Sequence, residues 1–318
     1  MRTLYRRLLG LMPRIGVQVT DLGPGTAVVS RRGGAYRVTG ADKDTWVLRR
    51  TRDGSRPQAA EVAEGGAVRL GDTGALLLME TPGGQDERRL QLAAAEYLCT
   101  QHVAAMLELY GVNCVFDVGA NNGQYARRLR KLGYTGRIVS FEPTSETFAR
   151  LEKAAADDLD WQVHRCGLGR EETTAEIHVG WKTMNSLLPA SDYGKGRYSR
   201  FHQADTEEIR VRRLDEVMAE ALDGIADPRP YLKMDTQGYD LEVFAGAGER
   251  IAEFVGMQSE VAVLKLYEGS PGMGEAVAVY EAAGFGITGM YPVTREATTG
   301  RVIEFDCVLM RADAAPTQ

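Results

Sequence analysis

The sequence predicts an α/β protein whose larger part is a mostly parallel sheet with helices on both faces, preceded by a small β-rich unit. Three observations predict it. After Gly111, short apolar runs alternate with helix-like runs, the pattern of strands joined by crossover helices. The stretch "VFDVGANNGQYARRL" (Val115–Leu129) passes from an apolar strand through a glycine turn into a helix with one apolar face. Before residue 84, short β-like runs are separated by "GPG", "RRGG", "RDGSRP" and "EGG", which is turn chemistry.

Taken in order, the first strands are expected at Val17–Thr20, Thr26–Ser30, Ala35–Val38, Trp46–Arg50, Ala67–Leu70 and Ala75–Met79, forming a sandwich or partly open barrel. "TPGGQDE" then punctuates the chain, so residues 1–87 read as one domain and 88–318 as another. Residues 88–110 read as a helix with Leu90, Leu98, Val103, Met106, Leu107 and Leu109 on its buried side. Strands follow near 114–118, 137–142, 161–166, 231–235, 255–261 and 301–309. Helices are expected near 123–132, 145–156, 214–221, 239–250 and 272–284. "GFGITGMYPV" and "GRVIEFDCVLM" could instead pair antiparallel at the sheet edge.

Composition narrows the function. The 318 residues are 44% hydrophobic and 26% charged, enough for a sizeable core. A net charge of −6 weighs against nucleic-acid binding, which needs clustered Lys and Arg. Cys99, Cys114, Cys166 and Cys307 form no C-x-x-C pair, so they read as buried thiols in a reducing cytoplasm. No run approaches the roughly 18 apolar residues of a membrane span, so no stable membrane insertion is expected. The start, "MRTLYRRLLGLMPRIG", is basic and amphipathic but lacks a signal peptide's apolar core and cleavage site. It reads as a solvated or packed first helix, with a membrane-surface helix as the alternative.

The glycine turn matches neither G-x-x-x-x-G-K-[ST] nor G-x-G-x-x-G; its spacing is G-x-x-x-G. Asp117 stands at the strand end before it, and Glu142 in "RIVSFEP" ends the next strand. A carboxylate at that second position can accept hydrogen bonds from ribose hydroxyls. An acidic turn without its own Lys suits neither pyrophosphate nor triphosphate. It suits a ligand with a ribose, a positive charge and no phosphate, and S-adenosylmethionine has those properties.

The motifs "FDVGANNGQ", "VSFEP", "LKMDTQGYDLEVFAGA" and "SEVAVLKLYEG" together resemble the FkbM family of S-adenosylmethionine-dependent methyltransferases, over roughly residues 112–310. The resemblance implies a Rossmann-like class I methyltransferase fold and transfer to a hydroxyl oxygen of a sugar or other small metabolite. It implies that Asp117, Gly119, Ala120, Asn121 and Gly123 line the methionine end and the turn, that Glu142 holds the ribose, and that Pro143 follows along the adenosine. Cys166, Gly167 and Leu168 would border the adenine. "VHRCGLGRE" departs from the family here, because many relatives carry Asn-x-Ala where Cys166-Gly167 stand.

Alcohol methylation needs an aligned acceptor and a base for its proton. Asp235, ending the apolar strand before Thr236-Gln237-Gly238, is the first candidate, with a helix cap as its plain alternative. Glu260 ends another strand and is the second. Lys233 points to the same face as Asp235, and with Gln237 is assigned to the substrate side. His202, in the polar loop "SDYGKGRYSRFHQAD", is a third candidate base, and the loop a candidate lid. Asn185 and Ser186 in "WKTMNSLLP" are placed near the acceptor or the methionine group. Paired carboxylates could hold Mg²⁺, which is not expected here.

The expected function is therefore cytoplasmic O-methylation of a small hydroxylated substrate, a sugar or glycosylated natural product. The alternative is a non-catalytic cofactor-binding or glycan-recognition protein on the same fold. A nicotinamide oxidoreductase is disfavoured by the missing fingerprint. A nucleic-acid amino methyltransferase is disfavoured because Asp235 lacks a following Pro-Pro and aromatic. The β-rich unit could select substrate, build a homodimer, or cover the sheet.

Overall fold

The computed structural model describes residues 87–203 and 205–315, together with six strands of the preceding segment. The amphipathic segment expected over residues 1–16 lies outside the described residues. The chain divides into two units, residues 1–97 and 98–318. In the first, β1 (Val17–Gly23) and β2 (Thr26–Arg31) form an antiparallel ribbon. There, β3 (Tyr36–Gly40), β4 (Thr45–Arg50), β5 (Gly66–Leu70) and β6 (Ala75–Met79) form an antiparallel sheet in the order β3-β4-β6-β5. The six strands fall where turn-bounded β-like runs predict them.

Helix α1 (Glu87–Leu109) leads into β7 (Cys114–Val118), α2 (Gln124–Leu132), β8 (Arg137–Phe141), α3 (Ser145–Ala155) and β9 (Trp161–His164). A small sheet follows: β10 (Gly167–Gly169), β11 (Thr173–His178) and, after the short helix α4 (Asp192–Arg197), β12 (Thr206–Arg213). The chain continues through α5 (Leu214–Leu222), β13 (Pro230–Met234), α6 (Asp240–Ala245), β14 (Gly256–Ala262), α7 (Met273–Ala282), β15 (Phe285–Arg295) and β16 (Val302–Arg311).

The seven-stranded sheet runs β15-β16-β14-β13-β7-β8-β9. Its five strands from β14 to β9 are parallel, and β16 and β15 add antiparallel at one edge. This is a Rossmann-like α/β fold. β7 and β13 are buried along their whole length, as a parallel sheet covered on both faces requires. Alternate residues part to opposite faces. Phe116, Val118, Leu232 and Met234 pack with α5, α6 and α7, while Val115 and Tyr231 pack with α1, α2 and α3. The chain winds outward from β7 to β9, then returns to β13 on the other side of β7. That reversal opens a crevice beyond the carboxyl ends of β7 and β13.

Four differences from expectation have local causes. The segment read as one helix over 239–250 breaks after Ala245 into a 3₁₀ turn, Gly248–Glu253, where Gly248 has φ +53°. A Cβ on Gly246 would stand 2.1 Å from the Gly169 carbonyl oxygen, so this position packs against β10 instead of continuing a solvated helix. In α1 the buried stripe is Cys99, Val103 and Leu107, spaced four apart, and Leu98 and Leu109 are half exposed. β10, β11 and β12 were not expected as strands, although β12 buries only the alternate Ile209 and Val211 at its centre, the period of a half-covered strand. The loop around His202 is structured: Ser191 caps α4 by accepting from the Gly194 amide, and Phe201 is buried against Trp181 and Tyr267.

Candidate active site

The crevice spans about 720 Å³ counted out to its solvent-open mouth. Its floor is a buried polar chain. The Trp161 indole donates to Ser140 Oγ (2.9 Å), and Ser140 donates to Asp117 Oδ2 (3.2 Å). Lys233 Nζ lies 3.0 Å from Asp117 Oδ1, donates to the Gly119 carbonyl (3.2 Å), and stands 3.7 Å from Asp235 Oδ2. Burial alone would lower the Lys233 pKa, but the Asp117 and Asp235 charges outweigh it and hold the ammonium above its ordinary range. The Tyr125 ring faces the same ammonium at 5.4 Å.

This arrangement corrects two assignments. Asp117 is fully buried and lies outside the crevice lining, so it does not line the methionine end directly. Lys233 is likewise buried and does not present itself to an acceptor. Both side chains hold the turn together from below.

The turn itself is shaped by close approach. Gly119 has φ +74°, and a Cβ there would fall 2.0 Å from the Asp235 carbonyl oxygen. Gly123 has φ +78°, and its absent side chain is replaced by the Trp161 ring, with a would-be contact at 2.6 Å. Gly123 therefore serves helix entry and packing. Ala120 is buried beneath the turn. Asn121 takes φ +50°, lines the crevice, and its backbone N–H donates to Glu142 Oε2 (3.0 Å).

Glu142 ends β8 on the opposite bank. Its Oε1 accepts from the Thr144 amide (3.0 Å) and hydroxyl (2.6 Å). Burial pushes its pKa up, and the Thr144 and Asn121 donors offset part of that shift. A carboxylate has about four acceptor positions; three are filled, which leaves Oε2 room for one strong further donor. Pro143, Cys166, Gly167 and Leu168 line the same bank, as do Phe141 and Ile209, giving an apolar slot. Burial raises the Cys166 thiol to about 11, so it behaves as a packing group.

On the other bank stands Asp235, whose side chain is 40% exposed. Gln237, held at φ +55°, donates its amide to Asp235 Oδ1 (2.7 Å) and to Glu260 Oε2 (3.1 Å). Its Oε1 accepts from the Tyr267 hydroxyl (2.7 Å). Asp240 Oδ1 accepts from the Thr236 amide (2.9 Å) and hydroxyl, so the loop cap belongs to Asp240 and leaves Asp235 free. Ser186 is buried and donates to the Gln237 carbonyl (2.8 Å), clamping this loop from outside the crevice. Asn185 does line the crevice. Glu260 lies behind Gln237, outside the lining. His202 is exposed on a 3₁₀ turn and does not line the crevice. Sequence reasoning missed Tyr267, Lys182 and Tyr239. Tyr239 sits inside "MDTQGYDLEVF", directly before α6, and carried a readable motif; Tyr267, in "KLYEG", lies behind the crevice and acts through Gln237, and Lys182 reaches the crevice from the turn after β11.

Residues 117–286 match the Methyltransferase FkbM domain, over half of the chain. The chain belongs to the FkbM methyltransferase family. Methyltransferase 1 of Beauveria bassiana is 21% identical to this FkbM protein over 190 residues, 54% of this chain and 72% of that one. The 2-O-methyltransferase NoeI of Sinorhizobium fredii is 24% identical over 165 residues, 49% of this chain and 65% of NoeI, just under two thirds of it. Among solved structures, Aeropyrum pernix fibrillarin with natively bound S-adenosyl-L-methionine aligns at 12% identity and a TM-score of 0.40, over 92% of this chain and all of that one. No described helix is long and apolar enough to cross a membrane, and no described group of three His, Cys, Asp or Glu residues is arranged to hold a metal ion.

Proposed function

We propose that this FkbM protein transfers a methyl group from S-adenosylmethionine to a hydroxyl oxygen of a small metabolite, such as a sugar. The charge of the lining supports the donor. Its ionisable carboxylates are Glu142 and Asp235, set against the Lys182 ammonium, while Lys233 beneath is matched by Asp117. Such a lining favours a cation and gives a phosphate chain little to bind. Glu142 Oε2 retains an acceptor position for a ribose hydroxyl, and the slot by Phe141, Leu168 and Ile209 suits a flat base.

When bound, S-adenosylmethionine supplies a methyl carbon on a sulfonium, with a neutral thioether as leaving group. The chain's part is to align an acceptor oxygen and receive its proton. One observation carries the assignment of that role: Asp235 Oδ1 is pinned by Gln237 while its exposed carboxylate edge faces the crevice. A pinned, accessible carboxylate can take the proton as the carbon–oxygen bond forms. That a relative is named a 2-O-methyltransferase supports oxygen as the acceptor atom.

Calorimetric titration with S-adenosylmethionine and S-adenosylhomocysteine tests the donor; a folded chain that binds neither refutes the proposal. Asp235→Asn is expected to keep S-adenosylhomocysteine affinity and to lower turnover by about 10²–10⁴. Unchanged turnover removes Asp235 from the chemistry.

A further inference from the structure

The turn after β11, residues 181–186, brings Lys182, Thr183 and Asn185 to the crevice lining. Lys182 is the one cationic residue of that lining among the described residues, and no described residue gives its ammonium an ion pair or a hydrogen bond. Asn185 Oδ1 accepts from the Trp181 backbone N–H (3.0 Å). That bond occupies the oxygen, and the amide nitrogen keeps its hydrogens for a partner outside the chain.

Both ends of the turn are buried and fixed. Trp181 stacks on His178 and packs against Phe201. Ser186 donates to the Gln237 carbonyl (2.8 Å), and the Tyr267 hydroxyl joins the Met184 carbonyl (2.9 Å) to Gln237 Oε1 (2.7 Å). Within this frame Lys182 holds φ +63°, a left-handed conformation that glycine takes freely and lysine resists. Glycine would build the turn with less strain. A lysine kept there, on the crevice wall and unpaired within the chain, points to a ligand as its partner.

We propose that this turn binds a carboxylate of the acceptor, so that the substrate is a hydroxylated acid of the uronic-acid or sugar-acid class. The inference rests on the methyltransferase reading above and names its substrate. The Lys182 ammonium supplies a charge-assisted bond, and the Asn185 amide and Thr183 hydroxyl supply neutral donors, a set that suits two carboxylate oxygens. The turn is bonded to Gln237, and Gln237 pins Asp235 (2.7 Å), so the anion is held on the same bank as the base.

Charge admits an acid here. Glu142 and Asp235 against Lys182, two carboxylates and one ammonium, give the lining a net charge of −1. The donor's sulfonium, ammonium and carboxylate sum to one positive charge, so the loaded crevice is neutral. A carboxylate matches the single cation. A phosphate ester of about −1.5 to −2 would face Glu142 and Asp235 with its charge only partly offset.

The test is calorimetry on the full chain loaded with S-adenosylhomocysteine, with glucuronate, galacturonate and their neutral parents glucose and galactose as probes. At least one acid is expected to bind at least about tenfold tighter than its parent, the scale of one charged hydrogen bond, and the preference is expected to shrink as NaCl rises. Lys182→Met is expected to abolish the preference and leave S-adenosylhomocysteine affinity unchanged, which also reports that the variant folds. Lys182→Gly is expected to abolish it as well and to melt no lower than the wild type, because glycine accepts the left-handed backbone. No binding of either acid, equal affinity for acid and parent, or a preference that survives both substitutions overturns the proposal. A lower melting temperature in Lys182→Gly overturns it in favour of a role within the turn. Loss of S-adenosylhomocysteine affinity in Lys182→Met, with methylthioadenosine affinity kept, assigns the ammonium to the donor's own carboxylate and overturns it too. Tighter binding of glucose 6-phosphate than of glucuronate overturns it in favour of a phosphorylated acceptor. Failure of the wild type to bind S-adenosylhomocysteine at all is a separate result and sinks the methyltransferase reading itself.

Discussion

Replacing Lys233 by methionine keeps the aliphatic stem and removes the ammonium beneath the crevice. The pair it breaks is buried on both sides, with side-chain exposures of 7% for Lys233 and 0% for Asp117 at 3.0 Å. At an effective dielectric of about 20, that separation corresponds to roughly 5–6 kcal/mol of attraction. The net cost is set by the stranded acid, since Asp117 is left with the Ser140 hydroxyl. Removing one partner of a buried pair costs about 3–5 kcal/mol. In a unit of this size that lowers the melting temperature by about 6–20 °C. The Gly119 carbonyl also loses its donor, so S-adenosylhomocysteine affinity falls with stability. Urea titration of the wild type, Lys233→Met, Asp117→Asn and the double variant measures the cycle. The double variant should cost less than the sum of the singles by about 1–3 kcal/mol, because the neutral amide no longer strands a charge. A single-variant cost below about 1 kcal/mol, or strict additivity, refutes the argument that this pair holds the turn.

Gly119→Ala should destabilise the chain by more than the roughly 1–2 kcal/mol of a left-handed alanine, because its Cβ also meets the Asp235 carbonyl. Urea titration and S-adenosylhomocysteine binding read both effects, and a wild-type midpoint contradicts it. Stability should fall as pH rises from about 4 to 8. Asp306 is raised to about 6 and Glu304 to about 8, so the folded state holds protons that the unfolded state has released, and raising pH costs the fold those bound protons. Denaturation midpoints across that window check the sign, and Glu304→Gln should flatten the upper part of the slope.

The reading of this chain divides by the range of the interactions involved. β7, β8 and β13 are largely buried runs, mostly apolar as parallel strands covered on both faces are, and the polar exceptions Asp117, Ser140 and Lys233 bond one another beneath the turn. Gly119 and Asn121 carry φ of +74° and +50°, and their residue types announce a turn that ordinary side chains resist. Glu142 and Asp235 follow from strand ends, because a parallel sheet places its crevice there. β10 and β12 were harder to read: β10 is three residues long, and β12 alternates Glu and Arg with its two buried residues. Ser186 looked like an acceptor contact and is a clamp on Gln237, while His202 looked like a base and stands on the surface.

The sequence by itself determined the alternation of strands and helices, the shape of the glycine turn and the carboxylates at the strand ends, because each depends on neighbours a few residues away. Tertiary structure alone decided that Lys233 turns inward to Asp117, that Gln237 joins Asp235 to Glu260, and that Glu304 is left facing a cavity. Those outcomes depend on which oxygens and nitrogens meet across strands more than a hundred residues apart in the first case, and on burial, which no single segment encodes.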